Sequence, residues 1–415
     1  MKRFFVNTCL LILSACLLMA CSGKGYLNVI PSESTALVSI DMAQLAEQSG
    51  KTPNANVLRQ LFRVSDMSDC GIDLSEDIYL FVAPDGNLGL AAKVSDDDDL
   101  EAWLQKLAQG GLCQQPQKHK GKLFTVLKQS WVVGVSDDAM LVMGPVVVGQ
   151  QAELMRQMTK YLEAEAGIED TPMFARLQEI QSPVAMVAQA GALPEQLVAP
   201  FTLGAPKDTD PARIVIAADM NVKDGCLVVD AETFSFDDAI DRALKTGQQV
   251  FRPVAGEFVP LIPSGSLFSL LMNVDGRKYL PMMRDNKQLR ALMTGVGVKI
   301  DIDKFIEGVD GDMVFVVPQY NDDHTSILWA ARQRADAPEL DAESHDELEK
   351  CRLASNSQLL PATVVGQLKG RRLCALVNLG TVDGEKKEAV EVFRTLLRPL
   401  FGDVNTVVWF MKARD

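Results

Sequence analysis

The residues of this chain best suited to chemistry are three histidines, eight cysteines and several clustered aspartates. His119, His324 and His345 lie in KHK, DDHT and SHDE, each among charged residues and none with a partner at metal-ligand spacing. HExxH, which sets two ligands on one helical face around a carboxylate base, does not occur. Nucleophilic catalysis needs a Ser or Cys beside an oriented base, and neither a GxSxG elbow nor a Cys-His signature is found. Ser264, Gly265 and Ser266 read as a turn. Gly295 and Gly297 lack the third glycine and following helix of a phosphate cradle. Asp96 to Asp99 could suggest calcium, but consecutive aspartates cannot converge like alternating loop ligands. They precede LEAWLQKL and so suit the start of a helix, where a side chain caps free amides and negative charge meets the helix dipole. Asp301, Asp303, Asp322 and Asp323 read as solvated turn or strand-edge carboxylates. No catalytic residue, cofactor site or metal ligand follows from these patterns, and an enzyme is not expected.

The other chemistry available is covalent modification near the start. Lys2 and Arg3 precede the apolar run Val6 to Ala20, which includes Asn7, Thr8 and Ser14 and falls short of the about 20 apolar residues that cross a bilayer. A basic start, a short apolar stretch and a small residue before a break have the order of a secretory signal peptide. Leu18, Met19, Ala20 and Cys21 resemble the lipobox of bacterial lipoproteins. That resemblance implies diacylation of Cys21, removal of residues 1–20 and acylation of the new amine, with palmitate-type chains as the membrane anchor. Two or more acyl chains hold stably where one binds reversibly. Ser22, Gly23, Lys24 and Gly25 then form a small polar tether, residues 21–25 in all. By resemblance to lipoprotein sorting signals, Ser22 favours the outer membrane, and the absence of an acidic cluster favours a periplasm-facing position.

Composition sets the partners. An apolar fraction of 47% suits buried cores, and the mature chain is long enough for two or more domains. The formal charge is −14, and loss of Lys2 and Arg3 takes it to −16. So acidic a body repels nucleic acid and anionic headgroups, leaving the lipid on Cys21 and envelope proteins as the expected partners. Cys9 and Cys16 leave with the signal. Cys70, Cys113, Cys226, Cys351 and Cys374 are an odd number, widely spaced and without CxxC, and read as small buried hydrophobes. Trp103, Trp131, Trp329 and Trp409 have apolar neighbours and read as core.

The elements that would position such residues follow a doubled pattern. VIPSESTALVSIDM starts at Val29 and LIPSGSLFSLLMNVD at Leu261, each a turn feeding a strand. EDIYLFVAP from Glu76 and GDMVFVVP from Gly311 follow them. Pro31 to Pro84 is 53 residues and Pro263 to Pro318 is 55, with CGIDLSED and GVKIDIDKF between. A tandem duplication is expected, 26–250 and a shorter 251–415, joined through the Pro- and Gly-containing stretch from Phe251 to Pro263.

Gly121 to Gly144 reads as a three-strand meander, and Ala212 to Phe234 as a hairpin turning at Lys223, Asp224 and Gly225. ATVVGQLKGRRLCALVNL from Ala362 reads as a second hairpin turning at Lys369 and Gly370. Apolar residues every three or four positions predict helices over Asp98–Ala108, Gln150–Ala166, Thr171–Ile180, Phe236–Thr246, Asp346–Leu353 and Gly384–Leu400. Hairpins with interposed helices, without βαβ alternation, point to an α+β fold: two tandem related units of mostly antiparallel sheet with helices packed on one face.

Through the lipobox, IPSESTALVSID and the CGIDLSEDIYLFV block, the chain resembles uncharacterised Bacteroidetes lipoproteins grouped as a domain of unknown function. The resemblance implies an envelope location and α+β architecture, and brings no catalytic residue, substrate or cofactor. The expected role is therefore a lipid-anchored, non-catalytic binding or scaffold protein of the cell envelope. The alternatives are a periplasmic carrier or sensor of an apolar envelope ligand and, behind it, a hydrolase.

Overall fold

A computed structural model describes residues 25–48, 67–193, 202–223, 225–263, 266–285, 302–318, 328–337, 362–381, 404–412 and 414. The fold mixes helices with mostly antiparallel strands. Two compact units are distinguished by spatial proximity: Met1–Ser34 with Phe62–Phe174, and Thr35–Leu61 with Ala175–Asp415.

In the first unit, β2 (Ile78–Val82), β3 (Leu88–Lys93), β4 (Gln117–His119), β5 (Lys122–Leu127), β6 (Trp131–Val135) and β7 (Ala139–Gly144) form a sheet ordered β2-β3-β7-β6-β5-β4, every neighbouring pair antiparallel. The expected meander is β5 to β7, with its turns where the polar residues interrupt the apolar runs. Leu123, Val135 and Met140 lie side by side on one face, and α2 (Asp97–Gln109) covers them with Leu100, Trp103, Leu104 and Leu107. Phe124, Gly134 and Leu141 share the opposite face, under α3 (Gln151–Leu162). A Cβ at Gly134 would stand 2.9 Å from Leu162 Cδ1, so its missing side chain makes room for that helix. Helices therefore lie on both faces of this sheet, where the sequence leads one to expect a single covered face. The physical reason is visible in β6, whose residues Val132 to Val135 are all buried and so offer two apolar faces instead of one.

The start of the described chain is built into this unit. Gly25–Val29 is a 3-10 turn with Tyr26, Leu27 and Val29 buried. Tyr26 donates its hydroxyl to the Asp77 carbonyl at 3.1 Å, and the Tyr26, Tyr79 and Phe174 rings pack in series at 6.2 and 5.8 Å.

The second unit holds β1 (Ala36–Ile40), α1 (Met42–Gln48), α4 (Pro172–Gln178, except its first residues), β8 (Val184–Gln189), β9 (Val215–Lys223), β10 (Cys226–Phe234), α5 (Asp238–Gln248), β11 (Phe251–Arg252), β12 (Phe268–Asp275), α6 (Gly276–Asp285), α7 (Ile302–Gly308), β13 (Val309–Val317), β14 (Leu328–Gln333), α8 (Ala362–Leu368), β15 (Leu373–Asn378) and β16 (Thr406–Met411). Its strand order is β14-β13-β12-β15-β16-β10-β9-β8-β1, with β11 beside β12. These pairs are antiparallel except β10 with β16, which is parallel. On one face Leu271, Val314, Ala330, Cys374 and Phe410 pack with Phe258, Leu261, Ile262 and Leu368 of α8. The stretch from Phe251 to Pro263 is thus partly core, a strap packed on the sheet. On the other face Phe305 of α7 meets Trp329 at 4.2 Å and Phe315 at 6.0 Å.

The hairpin expected around Gly225 forms as β9 and β10. The one expected around Lys369 and Gly370 does not: Ala362–Leu368 is helical, and only Leu373–Asn378 is a strand. The residues before that turn are β-branched, but propensity yields to packing once a helical turn can bury Leu368 completely. Helices anticipated over Asp346–Leu353 and Gly384–Leu400 lie outside the described residues.

Candidate functional site

Burying a charged side chain inside a strand is costly unless several donors meet it, so such a residue organises its surroundings. Asp312 is this residue. It interrupts the apolar run of β13 and is 1% exposed. Its carboxylate accepts from the backbone amides of Ala255 (3.0 Å), Gly256 (2.7 Å) and Glu257 (3.1 Å), and from Asn273 Nδ2 (2.8 Å). Three successive amides turned toward one anion form a nest, and here the chain's own carboxylate fills it.

A bulge in β13 opens the space beside this carboxylate. Register with β14 shifts between Val309 and Met313. Gly311 sits in the shift at φ +154°, and a Cβ there would lie 2.8 Å from Arg332 Cδ. Bulges re-aim side chains and often border sites. The result is a recess of about 330 Å³ lined by Arg252, Glu257, Asn273, Asp310, Asp312 and Arg332, together with Pro253, Ala255 and Gly311.

Its charges are paired. Arg252 donates to Asn273 Oδ1 at 2.9 Å and the Val274 carbonyl at 2.7 Å, and meets Asp310 at 2.9 Å. Arg332 meets Glu257 at 3.3 Å, and Arg334 bridges Asp275 and Asp310. The lining contains guanidinium, carboxylate and amide groups but no Ser, Thr, Cys, His or Lys. Such a surface can hold a small polar molecule by hydrogen bonds.

A second charged group acts as a clamp. Asp219 and Asp230 are direct partners across β9 and β10, an unfavourable like-charge pair. Burial and the neighbouring Asp219 push the Asp230 carboxyl up, against the pull of Arg371. Arg371 approaches Asp230 at 2.6 Å while its guanidinium lies 4.7 Å over the Phe410 ring, and Lys412 pairs with Asp219. The cations flank β16 and hold it beside β10.

Cys21 lies outside the described residues, as do Asp301, Asp322, Asp323, His324, His345, Cys351, Gly295 and Gly297. His119 ends β4 exposed, edge-on to Phe124 at 6.4 Å. Asp96 caps α2 as expected, accepting from the Asp99 amide at 2.9 Å. Cys70, Cys226 and Cys374 are buried and Cys113 is half-buried; burial pushes the Cys374 thiol up to about 12. Trp103 and Trp329 are core, Trp131 and Trp409 half-buried. Among the described residues no group of His, Cys, Asp and Glu is arranged to hold a metal ion, and no helix is long and apolar enough to cross a membrane. The recess was not anticipated. Its one signal in the sequence is the lone aspartate of GDMVFVV.

The family model for the domain of unknown function DUF4836 matches residues 51–321. The chain belongs to this family. The DUF4836 match runs through the CGIDLSEDIYLFV block and ends just beyond β13, so it includes Asp312 and Arg252 of the recess but not Arg332. No curated protein matches the chain. Among solved structures, two crystal forms of TP0453 are similar at TM-score 0.31. Form I is 10% identical over 50% of this chain and 77% of its own, and form III 13% identical over 49% and 76%.

Proposed function

We propose that this protein is a lipid-anchored, non-catalytic binding or scaffold component of the cell envelope. In this reading residues 1–20 are a signal peptide, Cys21 carries the acyl chains, and the body faces the periplasm from the outer membrane. The observation that carries it is the order Lys2-Arg3, apolar run, Leu18-Met19-Ala20-Cys21. The buried Tyr26 and Leu27 add support, since the packed body begins within a few residues of the cysteine and the tether is correspondingly short.

The body is further proposed to derive from an internal duplication. Support comes from strand orders within the second unit: β9-β8-β1 and β16-β15-β12 run through matching antiparallel neighbours. α4 precedes β8 and a 3-10 turn follows it (Ala190–Ala192); α8 and the turn Leu379–Thr381 flank β15 in the same way. This pairs Ala362 to Asn378 with the α4-β8 segment, not with the β9-β10 hairpin.

The binding role draws on the charged recess under the β13 bulge, whose lining suits a polar partner. Metabolic labelling with radioactive palmitate tests the anchor: the wild type takes up label and Cys21→Ser does not. Equal labelling of the two, or of neither, would defeat the proposal.

A further inference from the structure

Asp312 shapes the recess but is spent on the chain itself. Its Oδ1 accepts from the Ala255 amide and Asn273 Nδ2, and its Oδ2 from the amides of Gly256 and Glu257. A carboxylate offers about four lone-pair sites, so these bonds use them up.

What is left for a ligand belongs to the other charged side chains of the lining. Arg252 binds Asn273, Val274 and Asp310 through Nε and Nη2, which leaves Nη1. Arg332 meets Glu257 Oε2 through Nη1 at 3.3 Å, which leaves Nε and Nη2 of the arginine and Oε1 of the glutamate. Both side chains of that pair are open to water, 65% and 44% exposed. The Arg332 stem crosses the bulge itself, its Cβ and Cδ within 2.9 Å of where a side chain at Gly311 would begin. A larger residue at 311 would push the guanidinium off this course.

The remaining charges balance. With Asp312 satisfied by the nest, Arg252 and Arg332 stand against Glu257 and Asp310. An anion drawn to the guanidinium groups meets two carboxylates, and a cation drawn to the carboxylates meets two guanidinium groups. A molecule with one charge of each sign suits both. Arginine favours a carboxylate at the negative end, because its planar fork can give two parallel hydrogen bonds. Size narrows the class further. At about 30 Å³ for each water, a recess of about 330 Å³ has room for roughly ten water molecules, which matches a dipeptide.

We propose that the recess binds a dipeptide-sized zwitterion, its carboxylate on the remaining N–H groups of Arg252 and Arg332 and its ammonium on Glu257 Oε1. This rests on the binding role proposed above and names its ligand class; acylation of Cys21 is not required.

Titration calorimetry of the full chain carrying Cys21→Ser with alanylalanine tests it. Saturable binding is expected. The N-acetyl and C-terminal amide forms, each lacking one charge, should bind roughly tenfold or more weakly. Two variants assign the ends: Arg332→Gln should bring alanylalanine down toward its amide, and Glu257→Gln should bring it down toward its N-acetyl form. Arg156→Gln, which breaks an exposed pair with Glu153 in the other unit, should leave binding unchanged. Thermal melts of all three are expected to match the parent, because exposed ion pairs add little stability. The proposal is overturned if the N-acetyl or amide form binds as tightly as alanylalanine, or if Arg332→Gln and Glu257→Gln bind alanylalanine like the parent. A tightly bound derivative would still leave the recess a binding site, with another ligand class. If no form binds at millimolar concentration, the recess loses its place in the binding role as well, while palmitate labelling tests the anchor separately.

Discussion

Asn273 and Asp312 face each other directly across β12 and β13, and Asn273 Nδ2 donates to Asp312 Oδ1 at 2.8 Å while its own Oδ1 accepts from Arg252 at 2.9 Å. One amide therefore links the buried carboxylate to the guanidinium at the rim of the recess. The orientation of this asparagine is set by its two partners, one acceptor and one donor.

Removal of the carboxylate should expose how much of the fold depends on it. Asp312→Ala leaves the amides of Ala255, Gly256 and Glu257 and the Asn273 side chain without their acceptor in a buried place. A loss of about 3–5 kcal/mol is expected, by analogy with breaking buried charged networks, read from the urea midpoint. An unchanged midpoint would mean that water replaces the carboxylate freely and that the nest does not organise the recess.

The four aspartates before α2 make a sharper comparison. Asp96→Ala removes the side chain that accepts from the Asp99 amide and should cost about 1 kcal/mol. Asp97→Ala, within the first turn, should cost only about 0.3–0.5 kcal/mol through the helix dipole. Chemical denaturation with and without calcium distinguishes capping from ion binding: capping predicts unequal costs and no calcium effect.

Acid sensitivity should trace in part to Asp241. Burial raises its carboxyl, but the hydrogen bonds from Arg414 and the Ser235 amide outweigh this and hold it below the usual carboxylate range. A carboxyl depressed in the folded state contributes stability above its unfolded pKa of about 3.9, and that stability is lost as pH falls through the folded value. Arg414→Ala should therefore lower Tm more at pH 7 than at pH 3. Equal shifts at both pH values would show that the pair is not the source.

Phe305 tests the packing of the second unit. It is 1% exposed and fills the space against Trp329 and Phe315. Phe305→Ala should destabilise by about 3–5 kcal/mol, with Trp329 fluorescence shifting toward that of a solvated indole. A cost below about 1 kcal/mol would contradict the packing described.

Local patterns were legible where turn chemistry and periodicity agreed. Polar breaks at Gln129-Ser130 and Ser136-Asp138 outline β5 to β7, Gly225 marks the β9-β10 turn, and the aspartates announce α2. Ala362 to Leu368 misleads because Thr363, Val364 and Val365 favour strands in isolation, while burial of Leu368 depends on distant residues. The parallel pairing of β10 with β16 joins Cys226 to Thr406 and leaves no hairpin signal in the intervening chain. The recess was hidden for the same reason. Arg252, Glu257, Asp312 and Arg332 are scattered along the sequence, and only the bulge at Gly311 and the strap over the sheet bring them together.

The account rests most heavily on Cys21, and intact-mass analysis of the full chain purified from the cell envelope addresses it directly. The predicted product begins at Cys21 and carries the added mass of its acyl chains. A product that retains residues 1–20, or one that begins at an unmodified Cys21, would contradict the anchored reading.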